Sequence, residues 1–176
     1  TICGANNSQV GKINNNTRVF FWNLLEEIDL PGEMFIDREN NIAYLYPNAD
    51  MDSAEVFVPS LTSPMFEGSS ASNVKLEGLR MEYSLERLIR LDACDSVVVD
   101  GCTLAHTSGG FIGVSNCTNT VIQNCHMYDA GDGGVNVSNP VRLESYGNKI
   151  LNNRIHDANR VYKSYVPAMA CSSSGL

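Results

Sequence analysis

Four residues that can accept, donate or hold a proton recur at one position of a repeated pattern. They are Tyr83, His106, Asp129 and Asp157, and the steps between them are 23, 23 and 28 residues. Residues with a fixed period lie above one another when repeats stack. We therefore expect Asp129 and Asp157 to be about 5 Å apart at the backbone. Two carboxyl groups that close differ in pKa and can serve as an acid and a base, as in glycosidases.

Polar and aromatic residues border this position and extend the candidate site. Asp132 is a further candidate catalytic residue beside Asp129, Asp157 and His106. Arginine holds carboxylates through two hydrogen bonds, and tyrosine can stack on a sugar ring. On that basis the candidate substrate-binding residues are Arg142, Arg160, Tyr162 and Tyr165.

The same residues also have a purely structural interpretation. An aspartate at the corner of a repeat commonly bonds its own backbone as a turn residue. His106 could equally be a corner histidine whose hydrogen bonds are all made within the protein. The sequence leaves both interpretations open.

The elements that position these residues are short strands in a repeat. Two positions of the repeat advance together by 23, 23 and 28 residues. The inward-facing apolar position holds Met81, Leu104, Met127 and Ile155, and the turn position holds Gly78, Gly101, Asn124 and Asn152. Gly, Asn, Asp and Ser at the turns tolerate the left-handed backbone that tight corners require. The pattern predicts an all-β protein, a right-handed parallel β-helix of about four coils. Residues 61–176 form the coils, and the last step leaves room for a five-residue insertion near Ser138.

Residues 1–60 lack the repeat and predict a separate N-terminal region that packs on the coils. A short helical turn from Leu24 to Ile28 ends at Pro31 and Gly32. Two alternating segments then predict a β-hairpin, within Glu33–Asp37 and Ile42–Pro47. No polar cap is evident at the C-terminal end, so we expect a truncated solenoid or end-on association with another chain or with further coils.

Four of the six cysteines follow the repeat. Cys94 and Cys117 are 23 residues apart, as are Cys102 and Cys125. We interpret them as inward-facing stacked residues, because a free cysteine behaves as a small buried hydrophobe. A disulfide between stacked cysteines is not excluded by distance. Asn124, Asn152 and Asn153 are interpreted as a ladder whose amides bond from coil to coil.

Two acidic residues, Glu77 and Asp100, share another stacked position. Hard cations such as Ca²⁺ bind to several oxygen ligands, so a calcium site there is one alternative and a solvated outer face is the default. No other cofactor and no metal site are expected. Four glycosylation sequons begin at Asn6, Asn15, Asn116 and Asn136.

Charge limits the class of partner. The net charge of −8 argues against nucleic acid and against anionic membrane surfaces. No apolar run is long enough to cross a membrane, so we expect no membrane insertion.

Two stretches resemble a known family. The run from Asn23 through Asp29-Leu30-Pro31-Gly32-Glu33 to Tyr46-Pro47, and the Asp129-Ala130-Gly131-Asp132-Gly133-Gly134 segment with its downstream asparagines, are similar to secreted right-handed parallel β-helix repeat proteins. The first stretch departs at Met34, where that family usually has tryptophan. The resemblance, to a pectate-lyase-like superfamily of carbohydrate-active type, implies a polysaccharide or glycan partner and an extracellular or cell-surface location.

Three functions are compatible with these features of the sequence. The first is a glycoside hydrolase that uses the carboxylates at Asp129 and Asp157. The second is a non-catalytic extracellular solenoid that serves a structural, adhesive or glycan-binding role. The third is a polysaccharide lyase or epimerase, for which His106 and Tyr165 would act beside Arg160. Fold alone does not decide between them.

Overall fold

The computed structural model describes residues 23–139, 146–162 and 166–172. The chain divides into two compact units, one that ends at Phe57 and one that starts at Val58.

The first unit contains a short 3-10 helix and an antiparallel hairpin, as the sequence predicts. The helix is Leu25–Glu27. Strands β1, Met34–Asp37, and β2, Ile42–Leu45, pair antiparallel. The Asp37 carboxylate accepts two backbone N–H groups from the turn between them and thereby fixes its geometry.

The second unit consists of short parallel strands that return to the same three faces on every coil. Each coil contributes one strand to each face, and four coils follow one another; the strands are β3 Phe66–Ser69, β4 Lys75–Glu77, β5 Arg80–Ser84, β6 Ile89–Asp92, β7 Val98–Asp100, β8 Thr103–Thr107, β9 Ile112–Ser115, β10 Val121–Gln123, β11 His126–Ala130, β12 Val135–Ser138, β13 Lys149–Leu151, β14 Arg154–His156 and β15 Met169–Ser172. The first sheet contains β4, β7, β10 and β13. The second contains β5, β8, β11 and β14, and the third contains β3, β6, β9, β12 and β15.

The register between coils is the one that the sequence repeat predicts. Met81 pairs with Leu104, Leu104 with Met127, and Met127 with Ile155. The extra residues of the last step fall between β12 and β13. The prediction of a parallel β-helix with about four coils is therefore confirmed.

The core is a set of apolar stacks between the three sheets. Every second residue of a strand points inward, and Leu104, Ile112, Met127 and Val135 are at most 1% exposed. Cys94, Cys102, Cys117 and Cys125 are buried and free within these stacks, which confirms their interpretation as inward-facing residues.

Single left-handed residues turn the chain between the first and second sheets. Gly78, Gly101, Asn124 and Asn152 all have φ between 50° and 63°. Only glycine, asparagine and similar small polar residues adopt this conformation readily. The amide of Asn152 donates to Asn124 on the preceding coil at 2.8 Å, as the predicted ladder requires.

Candidate functional site

The outer face of the second sheet collects most of the residues that could do chemistry. In each strand of the second sheet, the residues directly before and after the inward-facing apolar residue point outward. One position near the end of each strand has left-handed backbone, with φ between 50° and 63°; its residues are Tyr83, His106, Asp129 and Asp157. Other corners of the coils, such as Ala93 and Asn116, have the same left-handed backbone, so these angles mark a corner of the coil.

One line of contacts on this face links two carboxylates through an imidazole. His106 Nδ1 lies 2.6 Å from Asp129 Oδ2 on the next coil. Its other nitrogen, Nε2, lies 3.9 Å from Glu82 Oε1 on the preceding coil. Each carboxylate also has an arginine: Arg160 pairs with Asp129, and Arg80 Nε donates to Glu82 Oε2 at 2.8 Å. Three consecutive coils therefore place carboxylate, imidazole and carboxylate in sequence.

Asp129 is held in its ionised form by these neighbours. Burial alone would raise the pKa of its carboxyl group, but hydrogen bonds from His106 and Arg160 outweigh that effect. The pKa of Asp129 therefore lies below its usual value. An ionised, half-buried carboxylate suits a nucleophile or a general base rather than a proton donor.

A second line of contacts runs through two histidines to Asp157. Asp157 Oδ2 lies 2.8 Å from His156 Nδ1, and His156 Nε2 lies 2.9 Å from His126 Nε2. Since the carboxylate accepts, Nδ1 of His156 carries the proton, and its Nε2 accepts from Nε2–H of His126 in the neutral rings. Nδ1 of His126 is then left as an unprotonated base.

The environment of His126 favours that neutral form. Partial removal from water lowers the pKa of its imidazole, and the positive charge of Arg154 and electrostatic repulsion from the neighbouring His156 ring lower it further. A histidine that is neutral at physiological pH can accept a proton.

Aromatic rings join the two lines into one group. Tyr128 contacts His106 edge-on, with ring centroids 5.4 Å apart, and stacks on His156 at 5.5 Å. Tyr83 stacks on His106 at 5.2 Å. All three histidines of the chain thus lie in one network, here called the second-sheet cluster, which consists of Arg80, Glu82, Tyr83, His106, His126, Tyr128, Asp129, His156, Asp157 and Arg160.

The structure brings some of the predicted site residues together and separates others. His106, Asp129 and Arg160 contact one another, and Asp157 occupies the equivalent position on the next coil. Asp132 instead lines a cleft on the third sheet together with Arg87. The catalytic roles assigned to these residues stay predictions.

The predicted substrate-binding residues have different locations. Beyond Arg160, Tyr162 is 53% exposed and its backbone N–H donates to Gly131. Arg142 and Tyr165 lie outside the described residues.

Several members of the cluster are not among the sequence candidates: Arg80, Glu82, His126, Tyr128 and His156. A usable signal was present, because Glu82, Tyr128 and His156 share one stacked column and Arg80 and His126 share another. Both columns flank the inward apolar stack, so alternation along a strand places them outside. The prediction followed a single column and missed its neighbours.

The predicted acidic column has partners of its own. Asp100 accepts hydrogen bonds from Gln123 and Asn124, both at 2.8 Å, and Glu77 pairs with Lys75 at 2.8 Å. Within the described ranges, no three His, Cys, Asp or Glu side chains converge as metal ligands. The calcium alternative stays a prediction.

Two of the four sequon asparagines lie in the described coils, and two lie outside the described residues. Asn116 and Asn136 are exposed on the coils, whereas Asn6 and Asn15 fall outside the described part of the chain. Glycosylation at all four stays a prediction.

The class of protein follows from this geometry: a parallel β-helix with a network of ionisable side chains on one outer face. The family model described as the right-handed beta helix region matches residues 36–175, and the chain belongs to that family. No curated protein and no solved structure matches the chain significantly. Among the described residues, no helix has the length and apolar character needed to span a membrane. The β-helix family is consistent with carbohydrate-active proteins.

Proposed function

We propose that this protein is an extracellular carbohydrate-active enzyme, a glycoside hydrolase that acts on polysaccharide at the second-sheet cluster. The observation that carries the proposal is the line Glu82, His106, Asp129, in which an imidazole lies between two arginine-paired carboxylates. Side chains that serve only as turn residues bond to nearby backbone. These side chains bond mainly to one another across coils.

The spacing of the carboxylates supports hydrolysis. Carboxyl groups about 5–5.5 Å apart suit a retaining glycosidase, and about 6.5–9.5 Å suit an inverting one. Asp129 and Asp157 stand one coil apart, and Glu82 and Asp129 two coils apart. Strands lie about 5 Å apart, so the backbones of these pairs are about 5 Å and about 10 Å apart. Side-chain rotation over those distances can give the carboxyl separations that hydrolysis uses.

The roles follow from the ionised state of Asp129 and from the burial of its neighbours. Asp129, ionised, would attack the sugar or activate water. His106, which is bonded to Asp129, orients it. The Glu82 side chain, 13% exposed, is the best shielded from water of the three carboxyl groups in the cluster. Arg160 and Tyr162 would contact the sugar from the edge of the sheet.

A second candidate is a polysaccharide lyase or epimerase, and the line His126, His156, Asp157 favours it. That line offers an unprotonated imidazole nitrogen as the base for removal of a proton beside a carboxylate. Arg80, Arg154 and Arg160 lie on the same face and could neutralise the carboxylate of the substrate. A non-catalytic glycan-binding solenoid is the remaining alternative.

Product chemistry distinguishes these functions. The protein would be incubated with a panel of neutral and acidic polysaccharides, and the products would be analysed by mass and ultraviolet absorbance. Hydrolysis adds one water for each bond broken, whereas elimination adds none and leaves a conjugated double bond. Turnover without change of mass would indicate epimerisation.

The variants Asp129→Ala and Asp157→Ala test the assignment to the cluster, with Asp52→Ala in the hairpin unit as the matched control. Hydrolysis by the wild type that is lost in Asp129→Ala and kept in the control is the expected result. Hydrolysis that survives both cluster substitutions would reject the site. Binding of a glycan without any turnover would favour the non-catalytic solenoid.

A further inference from the structure

A second group of charged residues lies on a different face, along the third sheet. Two clefts open there, of about 360 Å³ and about 240 Å³. The larger is lined by two arginines and three carboxylates, together with polar Ser115 and Asn136; the charged residues are Arg87, Arg90, Glu67, Glu86 and Asp92. Arg87 and Asn136 line both clefts, and none of the members of the second-sheet cluster lines either.

The two arginines of this face differ in their partners. Arg90 donates to Glu86 at 2.8 Å and to Glu67 at 3.4 Å, so its guanidinium is already paired. The Arg87 guanidinium makes no hydrogen bond or ion pair with any residue that the structure describes. Its counter-charges, Asp132 and Glu86, act on it only through space.

Arg87 is also held in place by its surroundings. Its side chain lies flat across Gly113, where a Cβ atom would come within 2.9 Å of Cδ and 3.0 Å of Nη1. Burial lowers the pKa of its guanidinium, with Asp132 opposing that effect. Arginine nevertheless stays charged in proteins. A half-buried guanidinium with five N–H donors, none of them bonded to a described residue, can therefore donate to acceptors of a ligand in the cleft.

We propose that Arg87 anchors a second ligand site that binds an oxyanion of an acidic glycan, a carboxylate or a sulfate ester. The planar guanidinium offers two parallel N–H groups to either anion. Asn136 and Ser115 line the same cleft and supply polar groups for the hydroxyls of the sugar. The site lies on the third sheet, so it goes beyond the proposed function and does not depend on catalysis at the second-sheet cluster.

The test is a titration of the whole protein with three defined probes. They are an oligogalacturonate, a sulfated galactan oligosaccharide and a neutral galactan oligosaccharide of equal length, followed by calorimetry at low salt. We expect one or both acidic probes to bind and the neutral probe to bind at least about tenfold more weakly, the scale of a charged hydrogen-bonded pair. The stronger acidic probe identifies the anion. Equal binding of all three probes, or no binding of either acidic probe, overturns the proposal.

Three variants tie the binding to Arg87. Arg87→Gln should weaken binding at least about tenfold, and Gly113→Ala should weaken it too, because the new methyl group displaces the Arg87 side chain. Arg38→Gln, on the hairpin unit, makes the same change of charge and should leave binding intact. Circular dichroism of each variant establishes that it is folded. If Arg87→Gln and Arg38→Gln bind the acidic probe alike, Arg87 is not the anchor, whatever the second-sheet cluster does.

Discussion

Two groups of polar side chains on the coils, the amides of Asn148 and Asn153 and the second-sheet cluster, differ in what they contact. Buried Asn148 receives the backbone N–H of Thr120 and donates to the carbonyl of Cys117, each at 2.9 Å. Asn153 bonds the backbone on the preceding coil in the same way. These amides complete hydrogen bonds that the turning backbone would otherwise leave unmade.

The second-sheet cluster completes few backbone hydrogen bonds. Its side chains contact other side chains: imidazole to carboxylate, imidazole to imidazole and ring to ring. The comparison teaches that the presence of a polar side chain on a coil does not by itself report its role. The role follows from the partners, and each of the following predictions tests that distinction.

The largest effect is expected on activity from Asp129→Asn. The substitution keeps the shape of the side chain but removes the negative charge that His106 and Arg160 hold. We expect the rate on the substrate found by the product analysis to fall by about 10²–10⁴-fold, the usual contribution of a general acid or base. Thermal unfolding should change little. A rate close to that of the wild type would place the chemistry elsewhere.

The next effect is on stability, from Asn148→Ala. Asn148 is 3% exposed, and its loss leaves one backbone N–H and one carbonyl buried without partners. We expect the free energy of unfolding to fall by about 2–4 kcal/mol in urea titration. Asn136→Ala, at an exposed asparagine, is the matched control and should change it by less than about 0.5 kcal/mol. Equal losses in both variants would contradict a backbone role for Asn148.

The inward-facing cysteines should make stability sensitive to alkaline pH. Burial raises the pKa of the Cys125 thiol to about 11, from 9.0. The unfolded thiol ionises first, so this stabilising contribution is complete below pH 9 and is lost as the pH rises to about 11. The loss should reach about 2–3 kcal/mol in urea titrations across that range. Cys125→Ala should lose less over the same interval; an unchanged alkaline slope would argue against Cys125 as the cause.

The second-sheet cluster should have the smallest effect on stability, and this effect should be seen at acid pH. The folded protein lowers the pKa of both His126 and Asp129, so the unfolded state binds more protons as the pH falls. The contribution of these two groups to the free energy of unfolding is complete above about pH 6.5. It begins to fall as His126 titrates and falls again below about pH 4 as Asp129 titrates. In urea titrations, the His126→Gln variant should lack the first decline in the free energy of unfolding, and the Asp129→Asn variant should lack the second. A decline that neither substitution alters would assign the acid sensitivity to other groups.

Much of the fold could be predicted from the residues because a solenoid repeats its own register. The stacked apolar positions, the left-handed corners at Gly78 and Asn124, and the buried cysteines all follow from a 23-residue period and a two-residue alternation. The hairpin of the first unit follows from alternation between turn residues. Asp129, His106 and Arg160 could be proposed together because the period places the first two on adjacent coils.

Other features depended on the tertiary structure. The hydrogen bonds from His106 to Asp129 and between His126 and His156, and the 3.9 Å approach of His106 to Glu82, depend on rotamers and distances between coils, which a period does not specify. The pairing of Arg90 and the lack of a described partner for Arg87 depend in the same way on where each long side chain comes to lie. The sequence by itself determined the stacking, because burial of a repeated apolar pattern permits only one register. The tertiary structure decided which polar atoms meet, because side-chain contacts require positions accurate to a few tenths of an ångström.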